Sequence, residues 1–330
     1  VRESCGLIEI SNYGKFEITG PGAAEWLSKI MACKVPAVGR IALSPMLNDR
    51  GRLIGDFTLC RVSDERFFVV GTYAAEVFYL RWFEQHLPPT GVSVRPCAME
   101  YLGLSVAGPE SRALLQTLVD HDLSTAAFPF MSFAQMDVGM VPALVGRVSF
   151  TGEMGYEMWV TSEYLRALYD LLHETGKAHG LRNFGGRALN SLRLEKSFGN
   201  WAREFRPIYG PYEAGLGRFV HLDKPDFIGK AAAAAEKASG GVRKLITLAV
   251  DAKDADAIGD EPIWHGDKVV GWVTSGGYGH TVGKSIALGY VDNAVAGETT
   301  GFAVELMGER RAAVRSAGAL VDPQGLRMRS

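Results

Sequence analysis

The sequence predicts an α+β fold, in which an internally duplicated sheet-plus-helix core (residues 1–240) precedes a small C-terminal β-barrel domain (residues 241–330). Two observations lead to this prediction. A strand, a Gly-Pro pair and an amphipathic helix follow one another twice, so we expect two related halves, about 1–97 and 98–240. Beyond an Ala/Lys/Gly-rich run near residue 240, short apolar segments alternate with glycine turns, as is typical of a small barrel or sandwich.

The duplication is visible in two pairs of segments. KFEITGPGAAEWLSKIM (15–31) and LGLSVAGPESRALLQTLV (102–119) share the order strand, Gly-Pro, helix, and proline suits the first turn of a helix. RFFVVGTYAAEVFYLRWFEQHL (66–87) and GYEMWVTSEYLRALYDLLHE (155–174) both run from a strand into a helix at nearly the same offset. Between the paired segments, Asp49-Arg50-Gly51 favours a hairpin turn.

The second part of the chain adds a helix and several strands. LRNFGGRALNSLRLEKS (181–197) has a helical pattern after its glycines and leads into an aromatic and proline-rich loop. In that loop Trp201, Tyr209 and Tyr212 either line a pocket or anchor the loop by packing. The segments KLITLAV, KVVGWVTSGG, SIALGYV and FAVELMG predict strands of the C-terminal domain.

Composition excludes several classes of partner. The 35 Lys and Arg residues against 37 Asp and Glu give a net charge of −2, which offers no broad positive surface to nucleic acid or to an anionic membrane. Charges break the apolar stretches well before the roughly 18 residues that a membrane span needs. The four cysteines lack C-x-x-C or metal-like spacing, which indicates reduced thiols. We expect a protein of the cytoplasm, or of the mitochondrial matrix in a eukaryote.

Several common kinds of catalytic chemistry lack their motifs. The sequence contains no G-x-x-x-x-G-K-[ST] loop and no G-x-G-x-x-G turn after a strand, so we expect no FAD or NAD site of the Rossmann kind in this chain. The seven histidines never occur in metal-ligand spacing, and there is no G-x-S-x-G elbow. Metal-dependent hydrolysis and triad hydrolysis are therefore disfavoured, and we expect no metal site.

Six segments carry a resemblance to a known family. They are MLNDRGRLIGDFTLCRV (46–62), FTGEMGYEMWV (150–160), SLRLEKSFGNWAREF (191–205), EAGLGRFV (213–220), DFIGKAA (226–232) and GWVTSGGYG (271–279). In this order they resemble the aminomethyltransferase (glycine-cleavage T-protein) family, and the similarity covers essentially the whole chain. The EKSFGNWAREF run is most similar to the C-terminal folate-binding domains of dimethylglycine and sarcosine dehydrogenases. The resemblance implies that the duplicated core is an aminomethyltransferase-like, folate-binding one.

One carboxylate of the first half is implied as the catalytic group. Asp56, in LIGDFTL, matches the position where the family places an essential carboxylate against the reactive nitrogens of the folate. Such a group can orient the amine, relay a proton and stabilise a cationic iminium. The alternative is a hairpin aspartate bonded to a backbone amide. Thr58 lies two residues further along, on the same strand face, and is expected to contact the same ligand.

Other positions are implied as contacts to the bound folate. Gly71, at the end of FFVVG, is expected to let a flat ring approach the backbone, or else to mark a turn. Glu157 is expected to accept two hydrogen bonds, from a pterin ring N–H and from its exocyclic amino group. The resemblance extends the contact to Met158 and Trp159, although both could be plain core residues. Glu153, nearer the turn, is expected to be solvated.

Arg193, in SLRLEK, is the last of the implied contacts to the folate. Its guanidinium either faces the folate or forms an ion pair with Glu195 or another acid. The family usually has an Arg-Asp pair just before this segment, whereas this chain has Leu189 and Asn190, with Arg187 two positions earlier. This chain therefore departs from the family pattern at the arginine position.

The resemblance implies a tetrahydrofolate-dependent one-carbon transferase. In the favoured interpretation it captures a methylene or iminium unit from an N-methylglycine-type donor to form 5,10-methylenetetrahydrofolate. Because N-methyl oxidation requires a flavin, we expect a flavoprotein dehydrogenase partner or domain. The chain starts without a methionine, in keeping with processing or excision from a longer protein. Two alternatives stay open: a standalone tetrahydrofolate-dependent S- or O-demethylase (methyltransferase), and a non-catalytic folate-binding module.

Overall fold

The computed structural model describes residues 1–330 and has the predicted α+β class. Its first part contains six strands and two α-helices. In chain order these are β1 (Gly6–Glu9), β2 (Tyr13–Thr19), α1 (Ala23–Ile30), β3 (Ile41–Leu47), β4 (Leu53–Ser63), β5 (Arg66–Thr72), α2 (Glu76–Gln85) and β6 (Ser93–Pro96). The predicted hairpin turn joins β3 to β4, where Gly51 has φ +70°.

The next part repeats this order of elements. It contains β7 (Tyr101–Ala107), α3 (Ser111–Gln116), β8 (Phe133–Val138), β9 (Val141–Gly146), β10 (Gly155–Thr161), α4 (Leu165–Gly176), β11 (Arg182–Asn183) and α5 (Gly186–Glu195). The series β7-α3-β8-β9-β10-α4 corresponds element by element to β2-α1-β3-β4-β5-α2. The internal duplication predicted from the sequence is therefore confirmed in the order of the elements.

The sheets show the same correspondence. The first sheet has the order β3-β4-β5-β2-β6, and the second has the order β8-β9-β10-β7-β1-β11. The four corresponding strands occupy the same positions in both sheets. The exception is β1, which belongs to the predicted first half by its sequence position but pairs antiparallel with β7 of the second sheet. The division of the chain into two halves, as drawn from the sequence repeat, therefore does not coincide with the division into two sheets at the N-terminus.

Glycines at the two repeated Gly-Pro pairs are required by close backbone contacts. Gly20 and Gly108 have φ values of +118° and +131°, a region that side chains disfavour. A Cβ atom would lie 2.3 Å from the carbonyl oxygen of Gly91 in the first case and 2.1 Å from that of Ser4 in the second. Each glycine therefore allows the chain to pass from a strand into the following helix.

The core has four layers, with the two sheets in the middle and the helices outside. The outer face of the first sheet packs on α1 and α2, and that of the second packs on α3 and α4. The inner faces pack on each other. They meet in an apolar cluster to which the first sheet contributes Cys60, Phe68 and Val70 and the second contributes Leu144 and Trp159. A ligand held between the sheets would therefore contact both halves of the duplication.

The C-terminal domain is a closed six-stranded barrel, as predicted. Its elements and the helix on either side are α6 (Lys230–Ser239), β12 (Arg243–Val250), β13 (Pro262–His265), β14 (Lys268–Gly279), β15 (Lys284–Asp292), β16 (Phe302–Leu306), β17 (Glu309–Ser316) and α7 (Leu326–Arg329). Sequence patterns indicated four of the six strands. They missed β13, which is short, and β17, which is rich in arginine and half of whose residues are exposed.

Residues beyond the barrel return to the duplicated core. Asp322 Oδ2 lies 3.2 Å from Lys196 Nζ, and Arg327 Nη1 lies 2.9 Å from Glu153 Oε1. All four cysteines are buried as free thiols. None of the helices has the length and apolar character required to cross a bilayer.

Candidate active site

The alternation of side chains along β4 separates a polar face from an apolar one. Asp56 and Thr58 are half-buried and point toward the second sheet, whereas Phe57 and Leu59 are buried under the helices of the first half. Thr58 therefore shares the face of Asp56, as the sequence indicated. Asp56 lies within the strand rather than in the hairpin turn, which does not support its alternative interpretation as a turn residue.

Tyr13 lies in the same row of the first sheet as Asp56. In the β4–β5 pairing Thr58 is opposite Val70, so Asp56 falls opposite Thr72 two residues further along. Thr72 is in turn opposite Tyr13 on β2. Adjacent strands are about 4.8 Å apart, which places the backbones of Asp56 and Tyr13 at about 10 Å from each other on one face.

Glu157 occupies the facing sheet. It lies on β10, where it is half-buried, with Ser105 of β7 on one side and Gly146 of β9 on the other. Trp159, two residues along the same face, is part of the cluster between the sheets. Asp56 and Glu157 therefore approach the space between the sheets from opposite sides, one from each half of the duplication.

The two carboxylates share an unusual electrostatic environment. Burial raises the pKa of Asp56 to about 7, and the negative charge of Glu204 adds to the rise. Burial alone raises the pKa of Glu157 to about 7. No other residue donates a hydrogen bond to either carboxylate, although each keeps accessible surface. Groups whose pKa values are raised strongly by burial cluster at functional sites.

Gly71 does not face this space. Its neighbour Val70 belongs to the inner cluster, so Gly71 points to the helical side of the first sheet. There a Cβ atom would lie 2.8 Å from the ring of Phe57 and 3.2 Å from that of Tyr79. Close packing thus explains why a glycine is required at this position. This explanation differs from the ligand contact and from the turn that were considered from the sequence.

Met158 and Trp159 also differ from the predicted arrangement. Met158 is fully buried in the helical core of the second half, on the face opposite to Glu157. Trp159 lies on the correct face but is only 2% exposed. Its ring packs edge-on against Tyr13 with centroids 6.3 Å apart, and Lys15 Nζ lies 5.2 Å from its centroid. The two residues therefore pack beneath the site and leave little or no free surface for a ligand.

Arg193 forms an ion pair rather than facing the space between the sheets. Its Nη1 lies 3.4 Å from Glu204 Oε2, and the guanidinium also donates to the carbonyl oxygen of Phe198. Glu204 is completely buried and accepts further hydrogen bonds from Ser275 Oγ of the barrel (2.5 Å) and from the amide of Asn200 (2.9 Å). Arg193 therefore holds Glu204, the residue whose charge adds to the rise in the pKa of Asp56.

Glu153 is not the solvated loop residue expected from the sequence. It is 3% exposed and lies 2.8 Å from Arg2 Nη1 and 2.9 Å from Arg327 Nη1. Arg2 also contacts Glu195, which is buried. The acid that the sequence suggested for Arg193 is therefore engaged with a different arginine.

Two aromatic residues of the loop after α5 act as packing anchors. Trp201 Nε1 donates a 2.9 Å hydrogen bond to the carbonyl oxygen of Ile54, two residues before Asp56. Tyr209 is stacked on Tyr290 of the barrel with centroids 3.7 Å apart. The loop that carries Glu204 is thereby fixed both to β4 and to the barrel.

Sequence reasoning missed Tyr13 and Glu204. Tyr13 lies in SNYGKF, at the start of β2, where nothing in the local pattern distinguishes it. Glu204 lies within a family-like segment, but a charged residue in an irregular loop is usually solvated. Only the strand register and the contact with the barrel bring these residues to Asp56.

A polar cavity of about 350 Å³ opens at the start of α5. It is lined by Gly186, Arg187, Asn190, Ser191, Gly277, Tyr278 and His280. Arg187 and His280 are exposed there, and Asn190 Oδ1 accepts a 3.0 Å hydrogen bond from Arg193 Nε. The cavity is therefore one residue away from the Arg193–Glu204 pair.

Comparisons with known proteins agree with this architecture. Residues 1–224 match the family described as GCVT N-terminal domain, and residues 243–322 match the Glycine cleavage T-protein C-terminal barrel domain. The chain is 37% identical over 317 residues to mitochondrial dimethylglycine dehydrogenase of Homo sapiens, covering 95% of this chain and 37% of that protein. It is 31% identical over 303 residues to an aminomethyltransferase of Desulfitobacterium hafniense (strain Y51), covering 91% and 82% respectively.

A solved structure shows the same fold. The crystal structure of the glycine cleavage system aminomethyltransferase T from Bartonella henselae superposes with a TM-score of 0.87 at 24% identity, covering 98% of this chain and 88% of that one. The chain spans little more than a third of the dimethylglycine dehydrogenases that it matches, 36% or 37% of their length.

Proposed function

Because the chain belongs to the glycine cleavage T-protein family of folate-dependent aminomethyltransferases, we propose that it binds tetrahydrofolate and transfers a one-carbon unit to it. The observation that supports this most strongly is the pair Asp56 and Glu157. The two carboxylates approach one space from facing sheets, and no other residue donates a hydrogen bond to either of them. Such a site requires a ligand that brings N–H groups or positive charge, and a reduced pterin with an amine-bound carbon brings both.

The two carboxylates have different parts in this proposal. Glu157 accepts hydrogen bonds from the ring N–H and the exocyclic amino group of the pterin, which fixes the orientation of the ring. Asp56 orients the reactive amine and stabilises positive charge on the incoming carbon. With a pKa of about 7, it can also hold or release a proton near neutral pH. Thr58, on the same strand face, offers a hydroxyl group to the same ligand.

The donor in this proposal is an N-methylglycine-type amine. Its methyl carbon, oxidised to an iminium, would form bonds to N5 and N10 of tetrahydrofolate to give 5,10-methylenetetrahydrofolate, while the bond to the donor nitrogen breaks and the amine leaves with the two displaced protons. The support is the similarity to dimethylglycine dehydrogenase, together with the EKSFGNWAREF segment (195–205). Oxidation of the N-methyl group requires a flavin, so the proposal includes a flavoprotein domain or subunit that supplies the oxidised donor.

The polar cavity at the start of α5 suits the other end of a folate. The glutamate tail of folate carries carboxylates, Arg187 supplies positive charge at the cavity wall, and both Arg187 and His280 offer hydrogen-bond donors there. In this proposal Arg187 replaces the arginine that the family has two positions later, where this chain has Leu189. The difference would shift the tail contact by two residues along α5.

The test separates binding from transfer. The chain is mixed with tetrahydrofolate and a flavoprotein that oxidises N-methylglycine, and 5,10-methylenetetrahydrofolate is followed by a coupled dehydrogenase, with semicarbazide present to trap free formaldehyde. We expect Asp56→Ala to reduce the chain-dependent rate by about 100-fold or more, while the Kd for tetrahydrofolate changes by less than about 3-fold. Asp49→Ala, in the exposed turn before β4, is the matched control and should leave both values unchanged.

Three results would overturn parts of the proposal. Transfer at the wild-type rate by Asp56→Ala would remove Asp56 from its catalytic position. Formation of 5-methyltetrahydrofolate from an S- or O-methyl donor, without a flavoprotein, would replace the proposed donor by that of a standalone demethylase. Binding of tetrahydrofolate without turnover of any donor would indicate a non-catalytic folate-binding module.

A further inference from the structure

Tyr13 is held in the space between the two carboxylates. Its backbone lies in the same sheet row as Asp56, and its ring crosses toward the second sheet to pack edge-on against Trp159 at 6.3 Å between centroids. Trp159 in turn lies two residues from Glu157 on the same face of β10. The electric fields of Glu157 and Asp56 both act on the phenol group. The side chain therefore bridges the two halves of the site.

The hydroxyl group of Tyr13 has no partner within the protein. No residue forms a hydrogen bond with it, and the half-buried side chain keeps accessible surface. Tyr79 and Tyr156 also have hydroxyl groups without partners, but these are enclosed among the side chains of the two helical cores. Tyr13 is thus a tyrosine whose free hydroxyl can reach a ligand between the sheets.

We propose that the Tyr13 hydroxyl donates a hydrogen bond to the 4-oxo group of the bound tetrahydropterin. This inference deepens the proposed function and rests on it. The polar atoms along the edge of the pterin follow a fixed order. The exocyclic amino group and the adjacent ring N–H face Glu157, the 4-oxo group is the next polar atom, and the reactive N5 follows it and faces Asp56.

The order of protein groups matches the order of atoms on the ligand. An ionised carboxylate only accepts hydrogen bonds, so neither Glu157 nor Asp56 can satisfy a carbonyl oxygen. A donor is required between them, and the Tyr13 phenol, on which both charges act, is a donor without a partner in the protein. The hydroxyls of Thr58 and Thr72 are attached close to the floor of the first sheet, whereas the longer tyrosine side chain reaches the facing sheet at Trp159.

The test is a thermodynamic cycle in which the hydroxyl group of Tyr13 is removed from the protein and the 4-oxo group is removed from the ligand. Affinities of wild type and Tyr13→Phe are measured for tetrahydrofolate and for an analogue with hydrogen in place of the 4-oxo group. The change at the ring nitrogen that accompanies this replacement acts on both proteins, so the cycle isolates the contact with the 4-oxo group. We expect wild type to prefer tetrahydrofolate by about 10-fold more than Tyr13→Phe does, the effect of one hydrogen bond in a buried site.

Controls keep the outcome interpretable. Tyr13→Phe retains the ring that packs on Trp159, and its folding is checked by thermal unfolding. Tyr156→Phe removes an enclosed hydroxyl from the opposite face of β10 and should leave both affinities unchanged. If Tyr13→Phe keeps the wild-type preference, or weakens both ligands equally, the contact with the 4-oxo group is refuted. If wild type binds no tetrahydrofolate at all, the proposed function fails instead.

Discussion

Arg193 and Glu204 form a buried ion pair, with Nη1 3.4 Å from Oε2, where helix α5, the loop after it and the barrel meet. Both side chains are almost completely buried, at 4% and 0% exposure. The carboxylate has two more donors, Ser275 Oγ and the amide of Asn200, so it is fully engaged. Three separate parts of the chain thus converge on one negative charge, and that charge raises the pKa of Asp56.

Removing one member of this pair should be strongly destabilising. Arg193→Met leaves Glu204 buried without its cation, and we expect the free energy of unfolding to fall by about 3–5 kcal/mol in urea titrations. The double variant with Glu204→Gln should lose less than the sum of the two single variants. Lys29→Met, which breaks the exposed pair with Glu25, should change stability by less than about 0.5 kcal/mol. Equal effects at both pairs would contradict this interpretation.

The affinity for tetrahydrofolate should depend on pH through Glu157. The carboxylate must be ionised to accept the two pterin hydrogen bonds, and its pKa of about 7 leaves it largely protonated at pH 6. We therefore expect affinity to rise about 10-fold between pH 6 and pH 8. Titration calorimetry at several pH values measures this. Glu157→Gln should bind more weakly and lose most of the rise, and a wild-type pH profile in this variant would refute the assignment.

Ionisation of Asp56 should lower the stability of the ligand-free protein as pH rises from 4 to 8. Its pKa is about 7 in the folded chain against 3.8 for the free group, so ionisation opposes folding. The penalty is absent at pH values below 3.8, grows as pH rises toward 7 and is constant above. We expect Asp56→Asn to raise the free energy of unfolding by about 2 kcal/mol at pH 8 and by little at pH 4. Asp49→Asn, in the exposed turn, should show no such difference between the two pH values.

Substitution of Gly71 tests whether this glycine is required for packing or for contact with the ligand. Gly71→Ala places a methyl group 2.8 Å from the ring of Phe57, and we expect a loss of about 1–3 kcal/mol in the free energy of unfolding. Gly297→Ala, at an exposed position with no atom within 4 Å of the new methyl group, is the control. A stable Gly71→Ala variant that had lost only tetrahydrofolate affinity would restore the ligand contact that the sequence suggested.

The sequence predicts the class of the fold well because repeats and apolar periodicity are local signals. It also places Asp56 and Thr58 on one face, since residues two apart on a strand point the same way. By the same rule Met158 points to the opposite face of β10 from Glu157. The resemblance to the family extended the folate contact to Met158, but in the structure this side chain is buried in the helical core. Similarly, Gly71 is adjacent to the inner-face residue Val70 and therefore turns away from the site.

The rest of the site depends on relations that no local pattern contains. Tyr13 joins Asp56 only through the register of three strands, and it reaches Glu157 only because the two sheets pack face to face. Glu204 is buried because Trp201 and Tyr209 fix its loop to β4 and to the barrel. The sequence left open whether Arg193 faces the folate or pairs with an acid. In the structure it pairs with Glu204 of the following loop and not with its helical neighbour Glu195.

The position of β1 has a consequence for any attempt to divide the chain. This strand comes from the first residues but fills a place inside the second sheet, between β7 and β11. A fragment starting at residue 98 would lack it and leave the hydrogen-bonding edge of β7 open to other chains. The two halves thus exchange a strand, as the subunits of a domain-swapped dimer do. A synthetic peptide spanning β1 would be expected to bind such a fragment by filling the place between β7 and β11.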